Sequence, residues 1–132
     1  MGFLDRILGR NQGPLHIVPP ADLPVTEVEL LQVHTAEQLV ILTTSINGAR
    51  AIIDAARNAV PKQLRCKEAR PVSLIPQNHS RSSPTLDPKL GWLIPISPGT
   101  AAELLKIDRP GEYELEHLNL ALVVQKMPED QD

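Results

Sequence analysis

The residues that could act in catalysis or metal binding are few and widely spaced. No two of the four histidines stand three or four residues apart; they are His16, His34, His79 and His117. The single cysteine, Cys66, belongs to no metal-binding or nucleophile motif. Zinc ligands cluster at short spacings, and a nucleophile needs a base within reach. We therefore expect no catalytic residue, no metal ligand and no cofactor.

Other catalytic patterns are also missing from the sequence. Ser97 lies in Ser-Pro-Gly rather than in a Gly-x-Ser-x-Gly turn, and no glycine-rich phosphate-binding loop occurs. Three glutamates alternate along one predicted strand face, which is typical of a solvated edge; they are Glu112, Glu114 and Glu116. The sequence therefore favours a protein that is not an enzyme.

Composition narrows the class of protein further. The 132 residues suit one domain, and 42% hydrophobic residues suffice for a core, although only 2% of the residues are aromatic. A net charge of −3 and the scarcity of aromatic residues argue against nucleic-acid binding. Asp5 and Arg6 interrupt the apolar residues near the start, and no apolar run reaches the roughly 18 residues of a membrane span. We expect a protein that is intracellular or part of a virion, with neither a signal peptide nor a transmembrane helix.

The first ten residues predict a short amphipathic helix. Four apolar residues share one helical face, namely Phe3, Leu4, Ile7 and Leu8. Such a segment docks into a protein groove or lies in a membrane interface, and both partners remain open. Residues 11–34 contain several prolines and are interpreted as a linker.

The middle of the chain predicts one long helix over residues 35–60. Thr35-Ala36-Glu37-Gln38 has the form of a capping box, and Pro61 would end the helix. Apolar residues then recur at alternating spacings of three and four, as in an oligomer seam; the seam residues are Leu39, Leu42, Ile46, Ala49 and Ile53. Packing on the chain's own sheet and self-association through this helix both remain open.

The second half predicts short strands separated by turns. Residues 71–76 and 90–96 form two candidate strands, residues 100–107 slightly favour a helix over an extended segment, and an alternating pattern follows Gly111. The predicted fold is α+β, with an N-terminal amphipathic helix, one long central helix and a small antiparallel β-rich half. We expect an α+β domain over residues 35–127 and a disordered tail over 128–132.

One local pattern resembles a known group of proteins. Pro71-Val72-Ser73-Leu74-Ile75-Pro76-Gln77-Asn78, then Arg81 and Ile94-Pro95-Ile96-Ser97-Pro98-Gly99, is similar to small β-domains of bacteriophage virion-associated proteins. The resemblance covers residues 71–124. Residues 82–85 stand where that group has an apolar strand. The resemblance implies a non-enzymatic component that sits on, or joins, parts of a capsid.

These observations favour a non-enzymatic structural or interaction protein, with a virion or another large assembly as its setting. Its partners would be proteins, bound by the residues of the first helix, or copies of itself, joined through the central helix. Two alternatives remain. One is a peripheral membrane adaptor anchored by residues 1–10. The other is a small enzyme with a site in the loop 77–89, where His79 and Arg81 would meet a carboxylate.

Overall fold

The computed structural model describes residues 16–128 and is mostly β-structure. Within that range the chain forms strands β1 to β9 and helices α1 and α2. Their bounds in chain order are β1 (Val25–Glu27), β2 (Leu31–Ala36), β3 (Leu39–Ser45), α1 (Ile46–Asn58), β4 (Lys62–Arg65), β5 (Val72–Pro76), β6 (Thr85–Asp87), β7 (Gly91–Ile96), α2 (Pro98–Leu104), β8 (Gly111–Glu114) and β9 (Leu120–Gln125).

The strands are arranged in two mixed sheets. The five-stranded sheet has the order β1-β4-β5-β7-β6, and the four-stranded sheet has the order β2-β3-β9-β8. Each sheet combines parallel and antiparallel neighbours. For example, β3 runs parallel to β9 and antiparallel to β2. A parallel pair needs a long crossover between its strands, and the chain from α1 to β8 connects β3 to β9.

Helix α1 packs against strands of both sheets and joins them into one core. It contacts β3 and β9 of one sheet and β4 and β5 of the other. The most completely buried large side chains come from both sheets and from α2: Leu42, Leu64, Leu74, Ile94, Leu104 and Leu122. Burial of each such side chain contributes about 1.5–3 kcal/mol. The position of α1 on this core determines which of its side chains remain at the surface.

The long central helix predicted over residues 35–60 is wrong in its first part. Residues 31–45 form the β2–β3 hairpin instead, with the turn at Glu37 and Gln38. Glu37 has a φ of 57°, as the first central residue of a tight hairpin turn requires. The capping-box pattern therefore marks a turn. Ser45 caps the helix, because its Oγ accepts the backbone N–H of Gly48 at 3.1 Å.

The reason for this error lies in the composition of Leu39–Ser45, which is almost entirely apolar or β-branched. Val40, Leu42 and Thr44 are buried on one strand face, and Thr43 and Ser45 of the opposite face are buried as well. A run in which nearly every residue is apolar satisfies a helical spacing and a strand spacing equally well. β-Branched side chains then favour the pleated conformation, where they pack between neighbouring strands.

The proposed oligomer seam does not form one helical stripe. Leu39 and Leu42 lie on β3, whereas Ile46, Ala49 and Ile53 lie on α1. Leu42 and Ala49 are buried in the chain's own core. The central helix therefore cannot offer the five residues together to a second copy.

The predicted α+β class with an antiparallel second half is corrected to a mostly β fold with two mixed sheets and two short helices among the described residues. Strands β1 and β2 begin within residues 11–34, the range interpreted as a linker. The predicted helix over residues 1–10 lies outside the described residues. Most of residues 128–132, the predicted disordered tail, also lie outside that range.

Several local predictions for the second half are confirmed. Strands β5 and β7 occupy the predicted segments 71–76 and 90–96. Helix α2 confirms the slight preference for a helix in residues 100–107, although it spans Pro98–Leu104 and its N-cap is Ser97, whose Oγ accepts the Thr100 N–H at 3.2 Å. Proline and glycine end a strand through their local conformational preferences. Short strands bounded by them can therefore be predicted without tertiary information.

Candidate binding groove

A surface cavity of about 390 Å³ lies between helix α1 and the segment 105–110, which leads from α2 to β8. Helix α1 turns its alanine-rich face to the core, with Ala49, Ala55 and Ala56 buried. Arg50 and Arg57 lie at its exposed surface. The two positions are seven residues apart, which is two turns or about 10 Å along a helix. The cavity therefore follows the length of α1.

The floor of this cavity is apolar. Six of its lining side chains are aliphatic, and they come from α1, from the 105–110 segment and from β9: Ile46, Ala49, Ile53, Leu105, Ile107 and Val124. Leu105 is 43% exposed, which is high for a large apolar residue. Ile46 and Ile53 are half-buried. Covering these side chains would be favourable by about 25 cal/mol for each Å² of apolar surface removed from water.

Three arginines surround this floor. Arg50 and Arg57 come from α1, Arg109 comes from the opposite side, and Asp108 is the one acidic residue among the lining side chains. The lining thus carries a formal charge of +2 (three arginines and one aspartate), on a chain whose total is −3. We call this cavity the arginine groove; its defining residues are Ile46, Arg50, Ile53, Arg57, Leu105 and Arg109.

The arginines hold only weak local partners. Arg57 lies 3.9 Å from Asp54, with side chains 61% and 55% exposed, and Arg109 lies 3.3 Å from Asp108. Exposed pairs of this kind contribute little, because water screens both charges. A ligand carboxylate could therefore displace them at small cost and form two parallel hydrogen bonds with one guanidinium.

The wall opposite α1 is held in place by a tyrosine. The Tyr113 hydroxyl donates to the carbonyl oxygen of Arg109 at 2.5 Å. Ile107 donates its backbone N–H to Leu104, the last residue of α2, at 3.1 Å. Both bonds limit the freedom of the segment that carries Leu105 and Arg109. The groove is thus formed before any ligand arrives.

A second polar cluster joins α2 to the turn after β8. Glu103 contacts His117, with its Oε2 2.7 Å from Nδ1, and also accepts the backbone N–H groups of Glu116 and His117. Burial raises the pKa of Glu103, but these hydrogen bonds together outweigh it, so that its pKa lies below the ordinary value. A carboxylate that bonds two consecutive backbone N–H groups holds a turn in place, and this cluster is a structural clamp.

Loop 77–89, the alternative enzyme site, shows local contacts. His79 accepts the backbone N–H of Arg81 at 3.1 Å through Nδ1, and Asp87 accepts those of Lys89 and Leu90 at 2.8 Å. These bonds lower the pKa of Asp87. They shape two turns.

The remaining sequence-predicted residues are dispersed. Phe3, Leu4, Ile7 and Leu8 lie outside the described residues. Ile46, Ala49 and Ile53 of the proposed seam line the arginine groove, whereas Leu39 and Leu42 do not. Within residues 16–128, no three His, Cys, Asp or Glu side chains lie close enough to hold one metal ion. Neither α1 nor α2 has the length and apolar character to cross a bilayer.

Sequence reasoning did not single out the charged residues of the groove. Arg109 stands in the turn pattern Arg109-Pro110-Gly111, and Arg50 and Arg57 belong to no motif. Their spacing of seven on a helix was visible, but their opposition to Arg109 depends on how the 105–110 segment packs. No family model matches this chain, and no curated protein matches it either.

Proposed function

We propose that this protein is a non-enzymatic interaction module, and that it holds an acidic, partly apolar peptide segment of another protein in the arginine groove. The single observation that carries the proposal is the combination of exposed Leu105 and half-buried Ile46 and Ile53 with three surrounding arginines. A partner with aliphatic side chains and carboxylates complements both features at once.

The chemistry of the lining supports binding without catalysis. The lining residues include no histidine, cysteine, serine or threonine, so no residue there combines a nucleophile with a base. The arginines are exposed, and their attraction for carboxylates is screened at physiological salt. The apolar contacts then supply most of the affinity, while the arginines select acidic over basic segments. The complex should be of moderate strength and reversible.

The setting of the partner follows from the resemblance of residues 71–124 to virion-associated β-domains. On that basis we place the protein in a virion or another large assembly, where weak contacts act together. Each contact then gains from the high effective concentration of its neighbours.

The test is fluorescence anisotropy with two labelled synthetic peptides, one of alternating glutamate and leucine and one of alternating lysine and leucine. The full chain should bind the glutamate peptide and should bind the lysine peptide at least about tenfold more weakly. Arg57→Glu and Arg109→Glu should each reduce the affinity for the glutamate peptide several-fold. Lys67→Glu, the same charge change at an exposed residue outside the groove, is the matched control and should bind as the unsubstituted chain does.

The proposal is overturned if the glutamate peptide does not bind, or if Lys67→Glu weakens binding as much as the groove variants do. The second outcome would mean that only net charge matters. Leu105→Ser separates the apolar contribution from the charge. It leaves every arginine in place and should still reduce the affinity.

A further inference from the structure

We propose that strand β2 is a dimerisation edge, and that it pairs with β2 of a second copy of this chain in an antiparallel arrangement. Strand β2 lies at one edge of the four-stranded sheet and is bonded to β3 on one side. The pairing would join the two four-stranded sheets into one continuous sheet. None of the residues that line the arginine groove belongs to β2, so this inference is independent of the proposed function.

Strand β2 lacks the protection that the other edge strands of the described chain possess. Strands β1 and β6 have three residues each and include Glu27 and Asp87, and β8 has four residues and includes Glu112 and Glu114. Strand β2 has six residues, Leu-Gln-Val-His-Thr-Ala, with no Lys, Arg, Asp, Glu or Pro. Native sheets protect exposed edges by shortness, charge or proline, because an open edge is a template for another strand.

The pairing of β2 with β3 determines which backbone groups of β2 point outward at this edge. The N–H of Val40 donates to Asn119 beside β9 at 3.1 Å, so it points away from β2. Val40 is opposite Thr35, and this pair is therefore a non-hydrogen-bonded pair of the β2–β3 ladder. The backbone groups of Thr35 then point outward, and by alternation those of Val33 do too. No other backbone group among residues 16–128 pairs with them, so a new strand can do so.

The residues of β2 are complementary to those of a second β2 in an antiparallel pairing. A two-fold axis normal to the sheet at Val33 places Val33 opposite Val33 of the second copy and Gln32 opposite His34 of the second copy. Opposed residues then share a sheet face, as the pleat requires. Within the paired residues 31–35, no acidic side chain and no Lys or Arg meets its like, so these pairs carry no opposed like charges of the kind that destabilise a sheet, and Glu29 and Glu37 are opposed only beyond the ends of β2.

Space for the second strand is present beside this edge. A cavity of about 520 Å³ runs along β2, and its lining beyond β2 consists of Trp92 of the other sheet, Ala69 and Arg70. Inward-facing side chains of an added strand would cover the half-buried ring of Trp92. That burial adds an apolar contribution to the backbone hydrogen bonds.

The test is sedimentation equilibrium of the full chain and two double variants over a range of concentrations. The unsubstituted chain should approach twice its 14.5 kDa mass. Gln32→Lys with His34→Lys puts lysines opposite each other twice across the axis, and it should weaken the dimer at least about tenfold. Gln32→Lys with His34→Glu replaces each repulsion with an attraction and should restore the dimer. This charge-swapped variant is the matched control.

Three outcomes overturn the proposal: a monomer at every concentration, a dimer that the double lysine variant leaves intact, or a charge-swapped variant that stays as weak as the double lysine variant. Amide hydrogen exchange on the unsubstituted chain gives a test that needs no variant. Exchange at Val33 and Thr35 should slow as concentration rises, and rates that do not change with concentration contradict β2 pairing.

Discussion

The carboxylate of Glu103 lies 2.7 Å from Nδ1 of His117 and also accepts the backbone N–H groups of Glu116, at 2.6 Å, and His117, at 3.1 Å. One side chain on α2 thereby holds the turn between β8 and β9. Glu103 is 18% exposed and His117 is 52% exposed, so the contact lies at the surface but its acceptor is sheltered. Its effect on stability should depend on the charge of Glu103.

The change in folding stability between neutral and acidic pH tests this contact. Since hydrogen bonds lower the folded-state pKa of Glu103, its contribution to folding is complete above the unfolded pKa of about 4.3 and is lost as the pH falls towards the folded value. Glu103→Gln should therefore lose less stability on acidification than the unsubstituted chain, as measured by urea unfolding at neutral and acidic pH. Glu112→Gln, at an exposed position of β8, is the control. Equal losses for Glu103→Gln and the unsubstituted chain would contradict the role of this carboxylate.

Gly48 should resist substitution, although alanine is the better helix former. A Cβ at this position would lie 1.8 Å from Oγ1 of Thr44, a fully buried side chain whose hydroxyl donates to the Leu30 carbonyl at 2.8 Å. We expect Gly48→Ala to reduce the free energy of unfolding by about 1–3 kcal/mol, measured by urea titration. Thr44→Ala removes Oγ1, the closest obstructing atom, and leaves Cβ of residue 44 at 2.9 Å, so it relieves most of the clash. The double variant should then lose less free energy of unfolding than the two single variants lose together. Losses that simply add would rule out the clash.

A buried polar chain between β4 and β5 offers a further test. Gln63, which is 3% exposed, donates from Nε2 to Oγ of the fully buried Ser73 at 3.0 Å, and its Oε1 accepts from Nε of Arg65 at 2.7 Å. Ser73→Ala leaves the Gln63 amide without this acceptor in a dry environment. The expected cost is about 1–3 kcal/mol in thermal or urea unfolding.

Ser80→Ala is the control for that experiment, because Ser80 is exposed and the substitution should change stability by less than about 0.5 kcal/mol. Gln63→Leu combined with Ser73→Ala removes both partners of the bond, and it should recover part of the loss. A Ser73→Ala variant as stable as the control would show that the Gln63 amide finds another acceptor.

Local signals determined the parts of the fold that carry their own start and stop residues. Prolines and glycines bound β5 and β7, and Arg109-Pro110 precedes β8, which begins at Gly111. The glutamates of β8 alternated as an exposed face, as the structure shows for Glu112 and Glu114. Such features depend on the conformational preferences of a few adjacent residues, so the amino-acid order alone is sufficient.

Tertiary structure decided the parts of the fold for which the local sequence fits a helix and a strand equally well. Leu39–Ser45 begins with four consecutive apolar residues, which fit a helix or a strand, and only pairing with β2 and β9 on its two sides selects a strand. The arginine groove also depends on distant segments, since Arg57 and Arg109 are far apart in sequence and meet across a cavity that packing creates. The spacing of these residues along the chain does not predict that they face one groove. That arrangement is set by side-chain packing between the elements that carry them.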